Sequence, residues 1–369
     1  MKDKTFLKRE KIKMIEIMEV SLEYIKGLWT LPWILIGFIV TVVLSRFFGE
    51  QKINNAMKKI GLILLYFFVP FLLFRIFLGV DFRENEIIFT GVCFAVLSFM
   101  YIIAYFFALF KAKKINLIEE TKRNFIKTVL TNQGRSSAFI GGAILAIQEW
   151  RVPAAIYMSI GAIFLFAFIP YFLSHLYKKN LKESDKNLKI QVLPGYLRFF
   201  PWYLLSFAFI AIIVHGFTGI TAKSFGSDIS IIFEFYTQLT IPAALFYVGS
   251  GIHPSDLKLS ELKKLFGFDK KEKEFDHWSW VRNIFIVTVL VTPLLISFIF
   301  GLLFIFGAIA SSWFVVIIIN SILPITSTNM FLIPYGIDKK STAHAVTWTT
   351  IVCVPIVVLL ITVFRIYLV

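Results

Sequence analysis

The sequence predicts an all-α integral membrane protein with ten transmembrane helices, arranged as two inverted five-helix repeats with discontinuous crossing helices at positions four and nine. Three observations carry this prediction. The composition is too apolar for a soluble chain, the apolar residues fall into runs of bilayer length, and one run in each half is interrupted by polar residues.

Composition and charge define the broad class. Hydrophobic residues make up 58% of the 369 positions and phenylalanine alone occupies 42, which no soluble core of this size requires. The net charge of +15 would favour a nucleic-acid partner in a soluble protein. Here the basic residues lie in short segments between apolar runs, where they set orientation, so the expected surroundings are a lipid bilayer and no nucleic acid.

The apolar runs are each about as long as a bilayer-spanning helix, roughly 17 to 25 residues. They cover residues 31–48, 60–80, 87–110, 125–148, 153–177, 199–216, 230–252, 283–308, 313–335 and 343–368. We therefore divide the chain into a charged N-terminal extension (1–30), a first repeat (31–177), a cytoplasmic linker (178–198) and a second repeat (199–369).

The loops between these runs alternate in charge. Lysine and arginine cluster in the odd-numbered loops, whereas the even-numbered loops hold little more than Arg83, Arg151 and Lys223. The positive-inside rule then predicts a multi-pass protein of the cell (plasma) membrane with cytoplasmic odd loops and both termini outside. The basic cluster in residues 1–13 disagrees with that orientation, and a native start at Met18 instead of Met1 is a hypothesis that would remove it.

The two halves correspond to each other. Pro70 in the second run and Pro242 in the seventh are each followed four residues later by phenylalanine, and polar residues interrupt both the fourth run (131–142) and the ninth (321–336). Five spans per repeat is an odd number, so the second repeat enters the membrane from the opposite side. Broken helices at corresponding positions of inverted repeats indicate a secondary transporter with its site near the midplane.

The fourth-run interruption contains most of the candidate binding groups. These are Asn132, Gln133, Arg135, Ser136 and Ser137, with Gly134, Gly141 and Gly142 as crossover glycines. The glycines let two backbones cross closely, and the amides of an unwound segment attract an anion. Arg135 can meet a carboxylate with two hydrogen bonds. The alternatives are that Arg135 extends to the lipid headgroups and that the other polar groups only join helices.

The ninth-run interruption supplies the remaining candidates. Thr326, Ser327, Thr328 and Asn329 lie between the helix-breaking prolines Pro324 and Pro334. Four consecutive polar residues there predict a broken helix that completes the site.

Other chemistry is weakly indicated. Arg75 and Glu234 lie within apolar runs and are interpreted either as coupling or structural residues or as a buried pair. There is no P-loop, no dinucleotide-binding glycine pattern, no metal-ligand spacing and no nucleophile elbow. We therefore expect no enzymatic activity, no cofactor and no resident metal.

Four stretches resemble a known family: the segment around Pro70, FIGG at 139–142, PAALFYVGSGI from Pro242, and the tail from Leu323 to Leu360. They resemble the auxin efflux carrier (PIN-like) permeases of the bile acid, arsenite and riboflavin transporter superfamily, over residues 31–369. The resemblance implies two inverted five-span repeats, crossing helices four and nine, a mobile transport domain, a scaffold domain, and transport of small organic anions by an elevator-like mechanism.

Two positions depart from the family pattern. Ser136 stands where the family has an asparagine, and Ala143 stands where it has the crossover proline of the fourth span. The ninth-span crossover proline is retained as Pro324, and Asn329 follows it in the polar turn.

The sequence therefore favours a secondary membrane transporter of a small organic anion, a carboxylate above all. One alternative is a sodium-coupled symporter of the bile acid type, with sodium bound by unwound carbonyls and residues 326–329. Another is a non-transporting ligand sensor of the same fold. The substrate, the transport direction, the coupling ion (proton or sodium) and homodimer formation stay open.

Overall fold

A computed structural model describes residues 14–19, 32–79, 83–136, 144–173, 175–176, 195–252, 263–264, 277–326, 329, 332 and 335–368. Over these ranges the regular secondary structure is helical, and strand pairing is limited to one isolated antiparallel bridge. The predicted all-helical class is thus confirmed for this part of the chain.

The helices of the described ranges are numbered in chain order. They are α1 (Trp33–Phe48), α2 (Glu50–Phe77), α3 (Glu84–Lys114), α4 (Glu119–Thr131), α5 (Arg151–Ile163, continued by a π-helical turn at Phe164–Phe168), α6 (Gly195–Thr218), α7 (Ser227–Gln238), α8 (Thr240–Ser250), α9 (His277–Ile305), α10 (Ser311–Ile322) and α11 (Lys339–Tyr367). Each predicted apolar run overlaps at least one of them. Helix α6 begins at Gly195, inside the stretch 178–198 that the sequence predicts as a linker.

Five helical stretches of the described chain are long and apolar enough to cross a membrane. They are α2, α3, α9, α11 and the nearly continuous stretch Ser227–Tyr247, and they contain 21 to 31 residues each. Trp33–Phe48, Trp202–Thr218 and Ser311–Ile322 are shorter apolar helices. The structure therefore supports a helical membrane protein, while ten spans and inverted repeats stay predictions.

Pro70 lies inside α2, where it removes a helical hydrogen-bond donor. A residue at this position would normally donate its backbone N–H to the carbonyl of Tyr66, four residues earlier. The Tyr203 hydroxyl of α6 donates to that carbonyl instead, at 2.9 Å. The helix widens into a π-helical turn at Leu64–Phe68 just before the proline. A tertiary contact thus replaces the bond that the proline removes.

The chain divides into two compact units, and each contains helices from both halves of the sequence. Unit 1 comprises the described residues of Met1–Ile87, Ala138–Ala155 and Trp202–Gly249, which include α1, α2, α7, most of α6 and nearly all of α8. Unit 2 comprises those of Ile88–Ser137, Ile156–Pro201 and Ser250–Val369, which include most of α3 and α5 and all of α4, α9, α10 and α11.

Unit 1 contains a close crossing of α1 and α8. A Cβ atom added to Gly37 would overlap the backbone carbonyl of Phe246, and one added to Gly249 would overlap that of Ile34. Two glycines on facing helices therefore let the backbones touch, as small residues do at membrane helix interfaces.

Unit 1 also pairs the two ionisable residues that the sequence places inside apolar runs. Arg75 is buried, and its Nη1 donates to the backbone carbonyl of Glu234 at 3.4 Å and lies 3.6 Å from the Glu234 carboxylate. The structure shows an ion pair in which the arginine is buried and the Glu234 side chain is 33% exposed. A coupling role for either residue is not tested by this contact.

The α1/α8 crossing predicts a stability change. Gly249→Ala would force a Cβ into the Ile34 carbonyl, and we expect it to destabilise the protein by about 1–3 kcal/mol. Gly216→Ala is the matched control in the same unit, because a Cβ there meets no atom within 4 Å among the described residues. Thermal unfolding in detergent measures both variants. Equal unfolding temperatures for the two would contradict the crossing.

Candidate functional site

Helix α4 ends in unit 2 at the polar block of the fourth run. Its last helical residue is Thr131, and Asn132 turns the chain with φ −79° and ψ 11°. The Asn132 side chain donates through Nδ2 to the Thr128 carbonyl at 2.8 Å. The same carbonyl also accepts the Asn132 backbone N–H at 3.2 Å. The Asn132 side chain thus competes with the helical backbone for one acceptor, which favours the end of α4 at this position.

Helix α10 ends in the corresponding way in the ninth run. It stops at Ile322, and Leu323 takes the extended conformation, with φ −55° and ψ 148°. The following residue is Pro324, which disfavours helical backbone angles in the residue before it and cannot itself donate a hydrogen bond. The proline therefore explains where α10 stops.

The two broken ends lie side by side and form the isolated bridge. The backbone N–H of Ser136 donates to the Pro324 carbonyl at 2.9 Å, and the N–H of Thr326 donates to the Gly134 carbonyl at 3.1 Å. The residues at the centre of the bridge are Arg135 and Ile325. The structure thus brings together the two polar stretches that the sequence selects, and each supplies backbone partners for the other.

Asn329 lies against Gly134 beside this bridge. Its side chain is 0% exposed, and its Oδ1 is 2.6 Å from where a Cβ on Gly134 would lie. Within the described residues, neither Oδ1 nor Nδ2 of Asn329 has a hydrogen-bond partner. Glycine at position 134 is therefore required by the close approach of a buried, unsatisfied amide.

Helix α9 supports the polar block through Thr288. The Thr288 hydroxyl accepts a hydrogen bond from Gln133 Nε2 at 3.1 Å, and its backbone carbonyl accepts one from Arg135 Nη2 at 3.0 Å. One residue of α9 thus fixes both side chains. Gln133 Nε2 also donates to the Val129 carbonyl at 3.2 Å, which leaves the acceptor Oε1 as the amide atom without a partner among the described residues.

Helix α11 supports both broken ends through threonines. The Thr342 hydroxyl accepts from Asn132 Nδ2 at 3.2 Å. The Thr349 hydroxyl accepts from the backbone N–H of Ile325 at 3.0 Å, which satisfies a buried donor that lies beyond the end of α10 and has no helical partner. Three threonines on two helices therefore position the crossing.

Arg135 is the charged group of the site. It is 7% exposed, and its bond to the Thr288 carbonyl is neutral. In the part of the chain that the structure describes, Nε and Nη1 of Arg135 have no partner, and no carboxylate pairs with it. The titratable side chains that act electrostatically on Arg135 are Cys353, Tyr157 and Tyr101, and none of them is a carboxylate. Its position in the interior disagrees with the alternative of an arginine extended to the headgroups.

The predicted residues divide into two groups. Asn132, Gln133, Gly134, Arg135, Ser136, Pro324, Thr326 and Asn329 meet at the crossing. The remaining candidates, Ser137, Gly141, Gly142, Ser327, Thr328 and Pro334, lie outside the described residues.

Sequence reasoning missed the supporting residues of the site. These are Thr288, Thr342 and Thr349. A polar residue in an apolar run was the available signal, but threonine in such a run usually bonds its own helix.

The described residues contain no group of three or more His, Cys, Asp or Glu side chains placed to hold a metal ion. In comparisons with known proteins, no protein-family model matches the sequence and no curated protein matches it significantly.

The Thr349 contact predicts a selective loss of stability. Thr349→Val removes the acceptor of the buried Ile325 N–H, and we expect a cost of about 1–3 kcal/mol. Thr350→Val is the matched control, because the neighbouring Thr350 hydroxyl donates only within α11, to the Val346 carbonyl at 2.8 Å. Thermal unfolding compares them, and a Thr350→Val cost as large as that of Thr349→Val would disprove the assignment.

The Gly134 contact predicts a clash that a second substitution relieves. Gly134→Ala places a Cβ against Asn329, so we expect destabilisation of about 1–3 kcal/mol. Adding Asn329→Ala removes the clashing atoms and should restore much of the loss, which a double-mutant cycle measures. Gly161→Ala in α5 is the control, because a Cβ there meets no described atom within 4 Å. Additive losses in the double variant would reject the contact.

Proposed function

We propose that the protein is a secondary transporter of a small organic anion, most naturally a carboxylate, that works by elevator-like alternating access. The observation that carries this proposal is Arg135, a buried arginine at the helix crossing whose Nε and Nη1 have no described partner.

The Arg135 side chain brings a positive charge into the interior of unit 2. A guanidinium stays protonated, and burying it without a counter-charge is expensive. The Thr288 carbonyl offsets part of that cost, but it carries no net charge. Ionisable residues inside membrane proteins are rare and mark sites and pathways. An anionic ligand at the crossing would supply the charge that the protein does not.

The neutral groups at the crossing favour a carboxylate. A planar carboxylate accepts two hydrogen bonds from a guanidinium. Asn329 Nδ2 is a further donor, and Asn329 Oδ1 and Gln133 Oε1 are acceptors without partners among the described residues. A small anion with polar substituents would satisfy groups of both kinds.

The burial of the polar groups at the crossing favours a carrier over an open pore. Asn132, Gln133 and Asn329 are at most 1% exposed, so an anion reaches them only after the packing opens. A carrier requires such occlusion, because its site faces one side of the membrane at a time. The division into two units, each drawing helices from both halves, suits a mobile unit and a scaffold.

We assign the chain to the auxin efflux carrier family on its sequence resemblance, with ten spans in inverted repeats, cytoplasmic odd loops and a place in the plasma membrane. The crossing of the fourth and ninth runs through Gly134 and Pro324 supports this assignment.

The proposal predicts that anion binding depends on Arg135. The purified protein is screened against mono- and dicarboxylates by thermal stabilisation, and the ligands found are then tested for uptake into proteoliposomes. Arg135→Gln should weaken binding at least about thirtyfold and abolish uptake, because the buried charge partner is lost.

Arg282→Gln is the matched control. Arg282 is a half-buried arginine of unit 2 that also donates to a backbone carbonyl, that of Lys264 at 2.9 Å, but it lies outside the crossing. It should bind and transport like the wild type. Full uptake by Arg135→Gln would reject the site, and binding without any uptake would favour the non-transporting sensor.

A further inference from the structure

An aromatic groove lies on the surface of unit 2 between α3 and α5. Its volume is about 640 Å³, and its lining side chains are aliphatic or aromatic. The floor includes Tyr101, Leu130 and Phe164, which are buried. The rim includes Ile102 and Phe106, which are 53% and 63% exposed. The groove is therefore open to the surroundings of unit 2 and suits an apolar occupant.

The two helices that flank the groove run in the same direction. Tyr101 stacks on Phe164 with ring centroids 5.6 Å apart. One turn later on α3, Tyr105 contacts Phe172, which lies eight residues beyond Phe164, with ring centroids 5.9 Å apart. The C-terminal ends of α3 and of the α5 helix therefore lie at the same end of the groove. The last turn of α3, at that end, is basic.

Lys113 continues the face of α3 that forms the rim of the groove. Ile102, Phe106 and Lys113 are spaced by four and seven residues, and this spacing places them on one face of a helix. Lys113 is exposed and lies two turns, about 10 Å, beyond Phe106. Lys111 lies on the opposite face, where its Nζ is 5.8 Å from the centroid of the Phe107 ring. Lys113 is thus aligned with the groove, whereas Lys111 is not.

The chain around Lys113 carries a surplus of positive charge. Residues 111–123 contain five basic and two acidic side chains, and the acidic Glu119 is paired with Lys122 at 2.9 Å. The sequence predicts this loop to be cytoplasmic, and the cytoplasmic leaflet is the one that contains anionic phospholipids. Basic residues beside a groove between membrane helices bind the headgroups of such lipids.

We propose that the groove binds an acyl chain of an anionic phospholipid whose phosphate lies at Lys113. The acyl chain matches the aliphatic and aromatic lining, and Lys113 selects an anionic headgroup over a zwitterionic one. Leu130 of the floor is one residue before the end of α4, so the bound chain packs against the helix that carries the fourth-run break. This inference does not depend on the proposed transport function.

Lipid binding to the full-length protein in detergent tests the proposal. Native mass spectrometry measures the affinities for dioleoylphosphatidylglycerol, which is anionic, and dioleoylphosphatidylcholine, which is zwitterionic. The wild type should prefer the anionic lipid about fivefold, which is the effect of one lysine at a lipid headgroup. Lys113→Gln should remove this preference and leave the affinity for phosphatidylcholine unchanged. Ile102→Trp, which places a large ring at the groove, should abolish the saturable site for both lipids.

Lys111→Gln is the matched control, because it removes the same charge two residues away on the opposite face of α3, and it should bind like the wild type. Equal wild-type affinities for the two lipids would overturn the proposal, as would equal losses in Lys111→Gln and Lys113→Gln. Wild-type lipid binding by Ile102→Trp would show that the chain lies elsewhere. Displacement of phosphatidylglycerol by inorganic phosphate would show a site for free anions and would also overturn it. Lys113 is exposed, so Lys113→Gln should unfold at the wild-type temperature.

Discussion

The structure of unit 2 depends on how two helices can stop inside an apolar interior. Each stop frees backbone groups that hydrocarbon cannot satisfy. Here the two stops satisfy each other, because Ser136 donates to Pro324 and Thr326 donates to Gly134. Thr349 then satisfies the donor of Ile325 between them. Each break thus supplies backbone partners to the other where the fourth and ninth runs meet.

The polar groups that stabilise this crossing also prepare it for a ligand. Thr288 holds Gln133 and Arg135 through one hydrogen bond each, which leaves their remaining polar atoms oriented but without described partners. The cost of these unsatisfied groups is borne by the surrounding packing, as is common at functional sites.

The sequence predicts the breaks better than it predicts their supports. Pro324 and the polar block around Gly134 are local signals, so the broken helices and their meeting could be inferred. Thr288 and Thr349 lie in long apolar runs, where a threonine ordinarily bonds its own helix, and only tertiary structure shows a second partner. The pairing of Arg75 with Glu234 joins residues 159 positions apart, and no local pattern chooses it over the alternatives. The two units likewise mix segments from both halves, which depends on long-range packing.

The broken ends of α4 and α10 meet at a seam, formed by residues 134–136 and 324–326, that is built from backbone atoms. The groups that bond across it are N–H and carbonyl groups, which every residue except proline carries in the same form. Side chains at positions 135 and 136 can therefore change while the hydrogen bonds of the seam are kept. Such a site can acquire a new ligand preference through few substitutions, because recognition and architecture are encoded in different atoms. Substitution at the crossing therefore changes the side chains that can meet a ligand and leaves the main-chain bonds in place.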